Sequence, residues 1–80
     1  MDTINKWVVL KEEVLKPEYR DIKSRMFFVQ GGFGAHANTM GTAIIGHHVD
    51  GESTRWDRFQ IERLATEKEI ETYVREEAKS

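Results

Sequence analysis

The sequence predicts a small α+β fold: a twisted antiparallel β-sheet or partly open barrel with one amphipathic helix at the C-terminal end. Three observations lead there. Short runs rich in β-branched and aromatic residues recur between turn-forming residues. Asp50-Gly51 lies between two such runs, a strong short-range hairpin signal. Past Thr66, the apolar residues take up helical spacing.

The first strand is expected over about residues 6–11, in "KWVVLK". "EEVLKPEYRDIKS" then reads as an irregular or one-turn connection across the surface. Pro17 lacks a backbone N–H and pushes Lys16 toward extended geometry. A second strand is expected over 25–30, "RMFFVQ". Its unbroken Met26-Phe27-Phe28-Val29 run points to burial on both faces.

Strands three and four are expected over 42–49 and 52–61. With Asp50-Gly51 as a two-residue turn, Val49 pairs with Glu52, His47 with Thr54, Ile45 with Trp56 and Ala43 with Arg58. One face then carries Ala43, Ile45, Val49 and Trp56. The other carries Gly46, His48, Ser53, Arg55 and Asp57, with Ile44 as an apolar exception. Phe59 to Glu62 extends the fourth strand or begins a bend.

The helix is expected over about 67–78. Thr66 and Glu69 have the spacing of a capping box, and Ala65 and Ile70 that of a hydrophobic staple. Ile70, Tyr73, Val74 and Ala78 form its apolar stripe, and Glu71 and Arg75 an i,i+4 ion pair. A helix this short is marginal alone, so it must pack on the sheet.

Composition bounds the function. Eighty residues make one domain, burying only about 60–65% of its unfolded surface. There is no cysteine and therefore no disulfide framework. The formal net charge is −2, with both signs interleaved, which argues against a nucleic-acid partner. The longest apolar run is too short to span a membrane, and the N-terminus has no signal-peptide pattern. A cytoplasmic protein is expected.

Gly32-Phe33-Gly34-Ala35-His36-Ala37 matches G-x-G-x-x-A, but no crossover helix and second parallel strand follow, as a dinucleotide fold requires. Such glycines serve turns and bulges, or aim successive N–H groups at an anion. His36, His47 and His48 lack metal-ligand spacing, and neighbours in a strand point to opposite faces, so no metal is expected. Ser53, His48 and Asp57 share a face in the expected register but lack a nucleophile elbow, so catalysis is not expected. Arg55 and Arg58 flank Trp56, Arg63 follows, and Arg20 and Arg25 precede the second strand. Arginines among turns can grip a phosphate or a partner's carboxylates.

Taken together, Gly31-Gly32-Phe33-Gly34, Gly41, Asp50-Gly51-Glu52 and Arg55-Trp56-x-Arg58 form a pattern. It resembles a family of small proteins of bacteriophages and conjugative elements, mostly of Gram-positive bacteria. Relatives often carry cysteine or proline after Gly-Phe-Gly, where this chain has Ala35-His36. The resemblance implies a mobile-element setting, where small proteins often disarm host defences from the host-cell cytoplasm. The expected function is therefore non-enzymatic binding, without cofactor, of a host defence protein or an anionic signalling nucleotide. The second target could be held across a homo-oligomer interface. The expected binding residues are Gly32, Phe33, Gly34, His36, Arg55 and Arg58. The alternative is an accessory regulatory or nucleic-acid-associated module of mobile-element DNA metabolism.

Overall fold

The computed structural model describes residues 2–14, 21–36 and 40–75. Five strands alternate with short helical turns: β1 (Lys6–Leu10), β2 (Met26–Gly31), β3 (Ala43–His48), β4 (Ser53–Asp57) and β5 (Ile61–Leu64). A four-residue helix, α1 (Ile22–Arg25), precedes β2 and is capped by the Asp21 carboxylate, which accepts from the Ser24 amide. The C-terminal helix α2 (Glu67–Ile70) widens into a π-type turn over Glu71–Arg75. Pro17, Lys16, Arg20 and Ala78 lie outside the described residues, as does the expected helix beyond Arg75. No helix among the described residues is long and apolar enough to cross a membrane.

The strands form one antiparallel sheet in the order β4-β3-β2-β1-β5. β4 and β5 occupy opposite edges, yet only the 3₁₀ turn Arg58–Gln60 separates them in sequence. In a flat sheet those edges would stand about 19 Å apart, four spacings of about 4.8 Å. Three 3₁₀ residues advance only about 2 Å each. The sheet must therefore coil until its edges approach, and it stops short of pairing them. The result is an open, curled sheet.

The inside of the curl is the core. Val8, Leu10, Phe27, Val29, Ala35 and Ile44 are fully buried there, with Ile4, Trp56 and Ile61 packed against them. The opposite face is also apolar in part: Val9 lies opposite Met26, and both are fully buried. This two-sided burial is what the unbroken "MFFV" run requires. Beside them, Trp7, Phe28 and His47 make tilted and edge-on ring contacts across β1, β2 and β3.

The hairpin register differs from the expected one by a single residue. Ile44, not Ile45, lies opposite Trp56, and Arg55 lies opposite Ile45. The Gly51 amide donates to the His48 carbonyl, the His48 amide donates to Glu52, and Gly51 has φ 89°. This is a three-residue loop, a turn followed by a left-handed glycine bulge. A one-residue slip exchanges the faces of a strand. Ile44, Gly46 and His48 thus face the core with Trp56, whereas Ile45 and His47 face outward with Arg55 and Ser53. Ile45 is 52% exposed. A Cβ on Gly46 would collide with the Phe28 carbonyl, so the bare backbone makes room for the Phe27 ring.

Two further expectations are corrected. The strand expected over 52–61 is two strands on opposite edges. The Asp57 carboxylate accepts from the Phe59 amide while Gln60 Oε1 accepts from the Asp57 amide, and this capping box breaks the extended run. Arg75 pairs with Glu67 at 2.8 Å instead of with Glu71, because the widened turn alters the helical spacing. The Thr66–Glu69 capping box forms as expected. Glu69 also receives a bidentate ion pair from Arg63 of β5, at 2.7 and 2.8 Å, which ties the helix to the sheet edge. That guanidinium, acting against burial, holds the Glu69 carboxyl down at about 2.

Candidate functional site

The candidate site is the end of the curl where the β2–β3 connection meets the β4–β5 turn. β2 ends at Gly31, and Gly32 follows with φ 99°, a left-handed geometry that favours glycine. The chain then makes a 3₁₀ turn over Phe33–Ala35. A Cβ on Gly32 would fall on the Ala43 carbonyl, and one on Gly34 on the Thr42 carbonyl. Both glycines are therefore the places where this turn lies directly on the backbone leading into β3. The Ala35 and His36 amides donate to Gly32 and Phe33 carbonyls at 3.1 and 3.3 Å. The Ala35 carbonyl accepts from Thr3 N at 2.8 Å, binding the N-terminal segment to the turn.

Thr42 joins the two loops. Its hydroxyl donates to Asp57 Oδ2 at 2.9 Å, and its carbonyl accepts from the Arg58 amide at 2.8 Å. The Asp57 carboxylate thus accepts two hydrogen bonds, from the Thr42 hydroxyl and the Phe59 amide. The Phe59 amide, then the Thr42 hydroxyl, and then the charges of Arg58 and Arg55 lower its pKa below the ordinary aspartate value.

This frame presents apolar groups to solvent. Phe33 rests against Gly41, which has no side chain to obstruct it, and is 73% exposed. Met40 is fully exposed, and Phe59 is 64% exposed. The Arg58 guanidinium lies 5.3 Å from the Phe59 ring centroid, in cation–π range. A shallow cavity of about 190 Å³ is lined by Thr42, Ala43, Arg55, Trp56, Asp57 and Gln60.

Of the residues expected at a site, the structure gathers Phe33, Arg55 and Arg58 around the Thr42–Asp57 link, with Gly32 and Gly34 beneath as packing positions. His36 is exposed at the end of the glycine turn. Arg25 is not part of this site. It is buried, donating to the Leu10 carbonyl and pairing with Glu62 at 3.0 Å. Sequence reasoning missed Met40 and Phe59 as surface groups and Thr42 and Asp57 as their support. Asp57-x-x-Gln60, a capping signature, was the available signal.

The histidines separate by face. His47 packs outward against Phe28 and Trp7, whereas His48 faces inward against Phe27 and Trp56. The slip therefore corrects the expected placement of His47 on the core face and of His48 beside Ser53; Ser53 lies opposite His47. Ser53 and Asp57 are thereby parted from His48. Among the described residues, no three His, Cys, Asp or Glu side chains are grouped to hold a metal ion. No protein-family model, curated protein or solved structure matches this chain.

Proposed function

We propose that the protein is a non-enzymatic binding protein of a phage or mobile element, one that antagonises a host defence system by engaging a protein component of it. The observation that carries the binding role is the set of exposed Phe33, Met40 and Phe59 side chains on two mutually bonded loops, beside Arg58. Aromatic residues and arginine are the usual energetic anchors of protein interfaces. Loops already bonded to each other lose less freedom on binding than loose ones. The partner surface that fits is an apolar socket rimmed by carboxylates, facing Arg55 and Arg58.

Two features favour a protein target over a signalling nucleotide. The cavity beside Arg55 is about 190 Å³, whereas small-molecule pockets usually span about 300–1,000 Å³. Two amides of the glycine turn are already bonded within the turn itself. The mobile-element setting rests on the glycine and arginine-tryptophan pattern of residues 31–58.

The test is to make Phe33→Ala, Phe59→Ala and Arg58→Ala singly and measure melting and a phage-plating counter-defence phenotype. Phe33→Ala and Phe59→Ala should shift stability by less than about 1 kcal/mol, as exposed positions do, and should lose the phenotype. Full activity in every folded variant would place the function elsewhere.

A further inference from the structure

The hydrogen-bond phase of the hairpin determines which backbone groups of β4 face the sheet edge. His48 exchanges backbone bonds with the loop end at Gly51 and Glu52, so the even-numbered residues of β3 direct their backbone groups at β4. The Asn5 amide donates to the Val29 carbonyl, which fixes the same phase one strand farther in. With Gly46 opposite Thr54 and Ile44 opposite Trp56, Thr54 and Trp56 aim their backbone groups inward at β3. Ser53 and Arg55 consequently aim their N–H and C=O groups at the open edge. Among the described residues, no strand pairs with that edge. It is closed at one end, where the Asp57 amide donates to Gln60 Oε1.

We propose that the β4 edge at Ser53 and Arg55 receives an extended segment of the partner protein as a sixth strand, with an acidic residue of that segment opposite Arg55. This inference rests on the binding role proposed above and names the form of the partner. Strand addition supplies main-chain bonds, while side chains on alternate positions supply selectivity. Arg55 lies on the outer face beside the exposed Ile45, so the residue meeting it across the new pair is best an acid. The inner-facing neighbours lie beside Trp56, which packs against the apolar core, so apolar residues fit there. A second copy of the chain fits less well. Pairing β4 with itself about Thr54 puts the two Arg55 side chains on one face at a diagonal of about 7–8 Å.

The probe is the capped pentapeptide Thr-Val-Glu-Val-Thr, with Thr-Val-Lys-Val-Thr as its charge-reversed control. Amide exchange of the full chain is followed by NMR. In the free protein, the Ser53 and Arg55 amides should exchange faster than those of Thr54 and Trp56. The glutamate peptide should slow Ser53 and Arg55 in a saturable way, and the lysine peptide should not. Ser53→Pro removes an N–H that the β3–β4 pairing does not use, and should abolish that protection. Arg55→Glu retains the backbone and should exchange the preference for the two peptides.

Perturbation confined to Phe33, Phe59 and Arg58 would overturn the edge inference and leave the apolar end as the binding surface. No response to either peptide would also overturn it, while the plating phenotypes of Phe33→Ala and Phe59→Ala would still judge the binding role. Protection that rises with protein concentration alone would replace the partner segment by a second copy.

Discussion

The Trp56 indole N–H donates to Nε2 of His48 at 3.1 Å, and Nδ1 of the same imidazole lies 2.9 Å from the Met26 carbonyl. An indole can only donate and a carbonyl can only accept. His48 therefore carries its proton on Nδ1 and bridges β2 to β4 across the strand between them. Trp56→Phe retains an aromatic ring but leaves Nε2 without its donor. It should destabilise by about 1 kcal/mol from the lost bond, with the ring's smaller size adding to this. Chemical denaturation gives the loss. Imidazole nitrogen shifts showing the proton on Nε2 in the native protein would contradict the bridge.

The register predicts opposite behaviour at adjacent isoleucines. Ile44 is fully buried opposite Trp56, and Ile44→Ala should cost about 2–5 kcal/mol. Ile45→Ala, at an exposed outer position, should change stability by less than about 1 kcal/mol. Melting curves of the two variants decide it, and the reverse order would restore the two-residue turn.

The glycine turn yields a graded series. Gly31 has open space where a Cβ would lie, so Gly31→Ala should be silent or stabilise by up to about 1 kcal/mol. Gly32→Ala combines a left-handed φ with the Ala43 carbonyl, and should cost at least about 1–2 kcal/mol. Gly34→Ala must displace the backbone at Thr42, which should cost about 1–3 kcal/mol or more. Equal stabilities for all three would remove the close approach to β3.

Acid should loosen the helix from the sheet. The Glu69 carboxyl falls from 4.5 to about 2 on folding, mainly through its hydrogen bonds from Arg63. A depressed carboxylate contributes its stability above the unfolded value and loses it as pH falls through the folded one. The contribution is thus complete above 4.5 and fades toward about 2. Glu69→Gln should be less stable than the native chain at neutral pH, with the gap narrowing across that window. A gap independent of pH would show that Glu69 acts without its charge.

Much of this architecture was legible because local signals agreed with one another. The "MFFV" run, the Thr66–Glu69 box and the apolar helix stripe each pointed to the observed class of element. The hairpin was harder, since Asp-Gly suits both a two-residue turn and a three-residue loop ending in a left-handed glycine. The apolar exception at Ile44 was the clue, because shifting the pairing by one residue puts it in the core. β5 was hidden for a different reason. Asp57-x-x-Gln60 is the same kind of capping signal that was recognised at Thr66, but it lies inside a β-rich run. The candidate site was legible only residue by residue. Phe33 and Arg58 stand out as types, but the Thr42–Asp57 contact that joins their loops depends on the β3–β4 register, which puts Ala43 opposite Asp57.

The β1–β5 ladder has a kinetic consequence. Val8 meets Leu64 and Leu10 meets Ile61 from distant parts of the chain, so this pairing closes a long loop, whereas β3 and β4 meet across a tight one. Loop-closure entropy favours the local hairpin as the earlier structure. Mutations in β3 and β4 should then mainly slow folding, and mutations along β1 and β5 mainly hasten unfolding. The strand that completes the sheet would be the first to leave it. Transient opening should begin at β5 and release the helix with it, exposing Val8 and Leu10 while the β2–β3–β4 meander persists.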